Sequence, residues 1–402
     1  ILAAYPTVVN RFAVRFSLCY TFFIHCATQR IITMLKRIYI DNFRCLVNFE
    51  LTVDPINLLL GPNGAGKSSV FDVLRKIQAF LNGDKVVELF YPDDLTRWQT
   101  SSIQSFELEI KGNEGFYKYE FAIEHDVARQ RARVSYERLW FDNKPLLKFE
   151  AGEAHLYRDD HSKGPTYPFD WSQSLTASLP ERHDNTRLTW FRKRMKRFII
   201  VQINPMMMVG ESSQQENFLT ARMENFVSWY RHVSQNQGKA FEITKALREI
   251  MEGFSHFKFV EFDEQYRGLR LYFSAENDMH NPVEYRFRDL SDGQRVLIAL
   301  YALIYYARSE DYTLCIDEPE NFLALPEIQP WLTLLYDFCS DGELQALLIS
   351  HHPELIDYLA SQAGCWFDDR RSDAPTRVKR ITEKNAGGVP ISELVARGWL
   401  HG

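Results

Sequence analysis

The chain has 402 residues, 45% of them hydrophobic and 25% charged, with a formal net charge of −6. That balance fits a soluble globular chain of two or three compact units and excludes a wholesale nucleic-acid coat, though a local basic patch could still meet phosphates. Its six cysteines form no C-x-x-C pair, so no zinc signature is present, and free thiols point to a reducing, cytoplasmic setting.

Residues 1–33 contain no Asp or Glu and begin with Ile. The apolar run Phe16 to Ala27 is too short to span a bilayer, and no small-x-small cleavage site follows it. Met34 directly precedes the first well-patterned strand. The expectation is therefore that translation starts at Met34, that residues 1–33 are a non-native or disordered leader, and that no segment enters a membrane.

Lys36 to Ile40 and Asn48 to Leu51 alternate as strands, joined through Asp41-Asn42-Phe43-Arg44. Ile56 to Leu60 is an apolar run that reads as a buried strand, and Val70, Val73, Leu74, Ile77, Phe80 and Leu81 recur at helical spacing, ending at Asn82-Gly83. Between them stands Gly61-Pro62-Asn63-Gly64-Ala65-Gly66-Lys67-Ser68-Ser69. It fits G-x-x-x-x-G-K-[ST] completely and in the strand-to-helix context that the motif needs. Glycines let backbone N–H groups turn inward around phosphate oxygens, and the helix N-terminus adds its positive end. Asn63, Gly64, Gly66, Lys67, Ser68 and Ser69 are thus expected to bind a nucleoside triphosphate, with Lys67 on the terminal phosphates and Ser68 on Mg²⁺.

From about residue 103 to 150 the period changes to two, with a turn at Gly112 to Gly115, predicting an antiparallel sheet. Residues 151–186, rich in Gly, Pro, His, Ser and Asp, read as a long irregular excursion. Arg187 to Arg197 carries six basic residues and no acidic one. Two readings stay open there: a nucleic-acid contact with Trp190 and Phe191 stacking on bases, or a solvated helix face. Phe198 to Val201 reads as a strand ending at Gln202, residues 212–252 read as helical, and strands return at Phe257 to Phe262 and Leu269 to Phe273.

Asp289-Leu290-Ser291-Asp292-Gly293-Gln294-Arg295 precedes an apolar helical repeat, with Ser291 or Asp292 as its cap. Thr313 to Ile316 is a short apolar strand ending in Asp317 and Glu318, and Ala346 to Ile349 is another ending at Ser350, His351 and His352. An open α/β sheet places its ligand chemistry at such strand ends. Asp317 is suited to hold Mg²⁺ through water, Glu318 to orient and deprotonate the attacking water, and His351 to donate to the γ-phosphate.

Taken together, GPNGAGKSS, LSDGQR, LCIDEPEN and LLISHHP resemble the ATP-binding-cassette ATPase heads of the RecF, structural-maintenance-of-chromosomes (SMC) and overcoming-lysogenisation-defect (OLD) group. Asp41 to Arg44 is similar to that group's opening strand motif, which implies a nucleotide contact for Arg44. By the same resemblance Lys67 and Ser68 belong to Walker A, Ser291, Gly293 and Gln294 to the signature, and Asp317 and Glu318 to Walker B. Glu320 and Asn321 would open the D-loop, His351 would be the switch histidine, and Gln202 is the candidate Q-loop residue. Asp292 departs from the Gly or Ser commoner in the signature, and His352 follows the switch position.

The implied fold is an α/β P-loop ATPase of ABC type, with a mixed central sheet, an antiparallel sheet and a helical insert lobe. The expected divisions are an N-terminal ATPase part at 34–102, an insert at 103–285 and a C-terminal ATPase part at 286–402. The chain shows no long coiled coil, and with 50 residues after His352 the resemblance leaves no room for an appended Toprim nuclease, so Asp368-Asp369 reads as a loop. The implied function is an ATP-hydrolysing switch with ATP and Mg²⁺ as cofactors, forming a head-to-tail homodimer on ATP. It would work with DNA or a separate nuclease-like effector in DNA repair or anti-phage defence. An ABC-transporter subunit is the alternative, disfavoured by the strands and large insert between the phosphate loop and LSDGQ. A non-hydrolysing sensor is disfavoured by Glu318 and His351.

Overall fold

The computed structural model describes residues 33–263, 265–275, 278–308, 310–368, 374–381 and 389–397. The expected leader, apart from Thr33, and Asp369 lie outside them. The strands are β1 (Met34–Asp41), β2 (Phe49–Thr52), β3 (Ile56–Leu60), β4 (Ile103–Gly112), β5 (Gly115–Asp126), β6 (Arg131–Phe141), β7 (Lys144–Glu150), β8 (Glu153–Tyr157) and β9 (Lys163–Pro168). They continue as β10 (Phe198–Gln202), β11 (Glu211–Ser212), β12 (Phe254–Glu261), β13 (Arg267–Ala275), β14 (Asp278–Arg286), β15 (Thr313–Asp317), β16 (Gln345–Ile349), β17 (Gly364–Asp368) and β18 (Arg377–Arg380). The main helices are α1 (Lys67–Asn82), α2 (Thr186–Met195), α3 (Phe226–Val233), α4 (Gln237–Ile250), α5 (Asp292–Ala307), α6 (Leu325–Ser340) and α7 (Pro353–Ala363).

These strands make three sheets. The first has eight strands in the order β2-β1-β4-β5-β6-β7-β8-β9, all paired antiparallel. It draws strands from both sides of the division expected at residues 102/103. The second runs β10-β15-β16-β3-β17-β18 and is parallel except for its last pair. The third joins β11, β13, β12 and β14.

Every residue of β3, β15, β16 and β17 is buried, which is why these strands read as continuous apolar runs. Alternation then sorts their side chains. Leu58, Leu60, Leu314, Ile316 and Leu348 enter a core with Leu297, Leu300 and Ile304 of α5, Trp331 and Leu335 of α6, and Leu359 of α7. Leu59, Cys315, Leu347 and Ile349 enter a second core with Phe71, Leu74, Ile77 and Phe80 of α1. The far side of that core is the eight-stranded sheet, where Phe80 stacks on Phe121 at 5.1 Å and Phe121 on Phe106 at 5.0 Å. Helix α1 is thus clamped between two sheets, and its N-terminus is fixed where β3 ends. Gly83 closes α1 as the sequence predicts, with φ 108° and its N–H on the Ala79 and Phe80 carbonyls.

Three expectations change. Residues 151–186 are not irregular throughout: β8 and β9 extend the first sheet. Buried Glu137 ties down the following turn, accepting from Ser174 Oγ at 2.8 Å and the Leu175 and Thr176 N–H groups at 2.7 and 3.2 Å. Backbone pairing builds these strands, so their side chains show little alternation. Within 212–252, helix begins only at Phe226, and β14 follows β13 without a clear period in sequence. Asp368 is the last residue of β17 rather than part of a loop.

The basic stretch folds against its own chain. Arg187 donates to Asp159 O at 2.7 Å, Lys193 pairs with Glu181 at 2.9 Å, and Arg197 donates to Glu310 O at 3.0 Å. Arg192 donates to the Ala177 carbonyl at 3.3 Å, and Trp190 and Phe191 stack on Tyr117 at 4.8 and 5.9 Å. Most of these side chains are thus engaged within the chain, while Lys196 is exposed and Lys193 and Arg197 keep much of their side chains in solvent, so both readings of the stretch stay open. Arg194 is fully buried, donates to Thr313 Oγ1 and lies 4.7 Å over the Phe198 ring, while its Nε and Nη1 find no hydrogen-bond partner among the described residues. Burial pushes its pKa down to about 10. A buried guanidinium left half-satisfied costs stability, so Arg194→Met is expected to be neutral or to stabilise the fold by about 1–3 kcal/mol. A lower melting temperature for the variant in thermal denaturation would overturn this account.

Candidate nucleotide site

The loop after β3 winds into α1 through Gly66, which has φ 93° and offers α1 no side-chain cap. No side chain caps this end, Val70 N–H reaches back to Gly66 O at 3.3 Å, and the glycine turn opens onto the helix N-terminus, the kind of end that seats anions. A Cβ on Gly66 would stand 2.6 Å from Cys45 Sγ and 3.0 Å from Leu46 Cδ2, so the loop tolerates no side chain there. Behind it Thr376 donates its hydroxyl to Ala65 O at 2.9 Å and its N–H to Cys45 O at 3.0 Å. Nothing in the sequence marks Thr376 for this role, because its partner lies more than 300 positions away.

The strand order brings the remaining groups to one edge. Parallel pairing sets Gln202 opposite Asp317 and Asp317 opposite Ile349, so three strand ends meet beside the phosphate loop. Together they line a cavity of about 230 Å³ formed by Asn63, Gly64, Gly66, Lys67, Ser68, Ser69, Gln202, Asp317, Glu318, Ile349 and His351. Ser68 Oγ donates to Asp317 Oδ2 at 2.9 Å. Lys67, only 6% exposed, folds back to donate to the carbonyls of Gly61 at 2.7 Å and Pro62 at 2.9 Å.

Burial raises the Asp317 pKa, against the Ser68 hydrogen bond, which lowers it. Burial lowers the His351 pKa and nearby Lys67 lowers it further, which keeps the imidazole neutral at pH 7. Glu318 holds a left-handed backbone, φ 52°, uncommon for a residue with a side chain. Its N–H donates to Ile349 O at 2.8 Å, and Asn321 Nδ2 donates to its Oε2 at 2.8 Å. Strain of this kind, about 1–2 kcal/mol, persists where surrounding contacts enforce it and gathers at functional sites.

A hydroxyl and a carboxylate side by side suit a hard divalent cation such as Mg²⁺. The open helix end and buried ammonium suit phosphate oxygens. The residues present therefore fit Mg-ATP.

Four residues proposed from sequence are not in this cavity. Arg44 does not line it: its Nη1 donates to Asp72 Oδ2 at 2.7 Å and its Nε to Asp94 Oδ1 at 2.9 Å, so two carboxylates hold it. Ser291, Gly293 and Gln294 sit at the start of α5 and do not line the cavity. There Ser291 Oγ accepts the Gln294 N–H at 3.2 Å while Gln294 Oε1 accepts the Ser291 N–H at 3.0 Å, a reciprocal cap. A Cβ on Gly293 would lie 2.7 Å from Phe322 O, which explains glycine at that contact.

A parallel sheet with a Gly-rich loop after β3, two carboxylates where β15 ends and a capped helix α5 is consistent with an ABC-type P-loop ATPase head of the RecF, SMC and OLD group. The sequence profile of the AAA_21 family, described as "AAA domain, putative AbiEii toxin, Type IV TA system", matches residues 56–357, and the chain belongs to that family. An OLD nuclease from Thermus scotoductus is 32% identical over 98 residues, covering 20% of this chain and 19% of that protein. The chain therefore spans about a fifth of that curated relative. An SMC head bound to the C-winged helix domain of ScpA superposes with a TM-score of 0.53 at 10% identity, covering 88% of this chain and 99% of that one. That likeness establishes the fold. The SMC head domain from Thermotoga maritima aligns at 12% identity with a TM-score of 0.45, over 86% of this chain and 98% of that one.

Proposed function

We propose that this chain binds Mg-ATP at the Lys67–Asp317 cavity and hydrolyses it, using the cycle to open and close a head-to-tail pair of its own copies. The observation that carries the reading is the single cavity in which Lys67, Ser68, Gln202, Asp317, Glu318 and His351 converge. Lys67 exchanges the Gly61 and Pro62 carbonyls for phosphate oxygens. Ser68 and Asp317 hold Mg²⁺, which when bound neutralises charge on the phosphates. Glu318 orients the attacking water and accepts its proton, and neutral His351 donates a hydrogen bond to the departing phosphoryl oxygen. Gln202, opposite Asp317 across the β10–β15 ladder, reaches the same space from the insert side and couples the insert to the nucleotide.

The pair acts on a separate effector, a nuclease or a nucleic acid, in repair or anti-phage defence in the cytoplasm. This extension leans on the family and on the partial likeness to an OLD nuclease. Among the described residues no helix is long and apolar enough to cross a membrane, and nothing favours a transporter subunit. Phosphate release from ATP by the purified chain tests the reading, with Glu318→Gln as the control that keeps nucleotide and loses turnover. Isolation of the native complex identifies the effector.

A further inference from the structure

Three residues after Asp317 the chain makes a second connection between the Walker B end and the histidine loop. Glu320 is 8% exposed and Ser350 fully buried. Glu320 Oε1 accepts a hydrogen bond from Ser350 Oγ and a longer one, 3.4 Å, from the His351 N–H. Ser350 Oγ in turn accepts the His352 N–H at 3.0 Å. One carboxylate oxygen thus gathers the turn that presents His351. The same short segment carries Glu318, whose own N–H is bonded to Ile349 O. The Glu318 loop and the His351 loop are therefore laced together twice, once through the backbone and once through Glu320.

Stability alone does not account for the second lacing. Glu320 Oε2 is buried without a hydrogen-bond partner among the described residues. A buried, half-satisfied carboxylate carries a desolvation cost that an apolar or amide side chain would lessen. Groups of this kind are retained where they fix a geometry that function needs.

We propose that Glu320 is a positioning residue that sets the distance between Glu318 and His351 by holding the Ser350–His352 turn. The inference rests on the hydrolytic reading above, since it is the water and the γ-phosphate that these two groups must address together. The acceptor at Oε1 does the positioning, so an amide at that place preserves it and a methyl group destroys it. Nucleotide contacts of the phosphate loop lie outside the lacing and do not depend on it.

The experiment compares Glu320→Ala, Glu320→Gln, Ser350→Ala and Glu318→Gln in the full chain. Turnover, affinity for a fluorescent ATP analogue and melting temperature are read for each. Glu320→Ala is expected to lower kcat about 10²-fold, the scale of an ångström of misplacement at a reacting centre, with analogue affinity changed less than about threefold. Glu320→Gln is expected to restore kcat to within about tenfold of the parent, a neutral acceptor being weaker than a charged one. It should melt at the same temperature or above. Ser350→Ala should fall between the two, because the His351 N–H contact remains.

Parent-like kcat in Glu320→Ala overturns the proposal, and so does a kcat loss that tracks loss of analogue binding and melting temperature together. Glu320→Gln as inactive as Glu320→Ala also overturns it, since geometry alone would then not be what Glu320 supplies. Full turnover in Glu318→Gln instead overturns the hydrolytic reading beneath it, which keeps the two failures distinguishable.

Discussion

Lys67→Ala should abolish ATP binding at micromolar nucleotide, whereas Glu318→Gln should bind ATP like the parent and turn over about 10²–10⁴-fold more slowly. The asymmetry follows from what each side chain touches. Lys67 is 6% exposed and already satisfies two carbonyls inside the loop. On the proposed reading it is a ground-state contact for phosphate, and removing it leaves buried negative charge uncompensated. Truncating one partner of such a buried pair costs about 2–5 kcal/mol, roughly thirty- to several-thousand-fold in Kd. On the same proposed reading Glu318 acts on water in the chemical step, so the amide spares binding and lowers kcat. Equilibrium binding of a fluorescent ATP analogue and phosphate release separate the two effects. Parent-like turnover in Glu318→Gln would remove Glu318 from the chemistry. Tight binding by Lys67→Ala would remove the phosphate loop from the site.

The sequence makes the centre of this site plain because its pieces are local. The phosphate loop lies within nine consecutive residues, and β3, β15 and β16 announce themselves as apolar runs because both of their faces are covered. Each ends at the residue whose side chain enters the cavity or just before it. Ser291 is likewise legible, since a reciprocal cap is written three residues apart. The signals fail where a contact joins distant segments. Thr376 behind the phosphate loop, Arg44 held between Asp72 and Asp94, and Arg194 beneath Thr313 are all products of packing. The run Arg187 to Arg197 shows the limit well. In sequence it is an uncompensated row of cations, but Glu181 and the carbonyls of 159, 177 and 310 engage four of the six from elsewhere. The same holds for β8 and β9, which owe their place to backbone pairing with β7 and to the anchor at Glu137.

Mg-ATP should convert Glu318→Gln from monomer to dimer, and Ser291→Arg should block that conversion while leaving ATP binding intact. The signature cap at Ser291 and Gln294 is exposed and complete within itself, yet it does not line the cavity that holds Lys67. An exposed helix N-terminus that takes no part in its own copy's cavity is available to the nucleotide of another copy. Two features at that end are unpartnered in the same sense. The turn Pro205–Met207 is tied to α5 by Arg295, which donates to Pro205 O, and Met206 beside it is 76% exposed. Phe322, whose carbonyl rests against Gly293, is 51% exposed. In a two-fold pair each site takes Lys67, Asp317 and Glu318 from one copy and Ser291 from the other, so nucleotide becomes part of the interface. ATP then shifts association by mass action, and blocking hydrolysis holds the shift. An arginine at 291 fills the contact with bulk and leaves the Lys67 side of the site untouched. Mixing Ser291→Arg with Lys67→Ala gives a sharper result. In the mixed dimer one site carries both defects and the other carries neither, and neither variant pairs with itself, so two inactive proteins should together recover up to about half of parental turnover at equal amounts. Sedimentation of Glu318→Gln with and without Mg-ATP, followed by phosphate release from the mixture, reads both outcomes. An unchanged mass with nucleotide, together with no recovery on mixing, would mean that each copy works alone and that the signature helix serves something other than a second ATP.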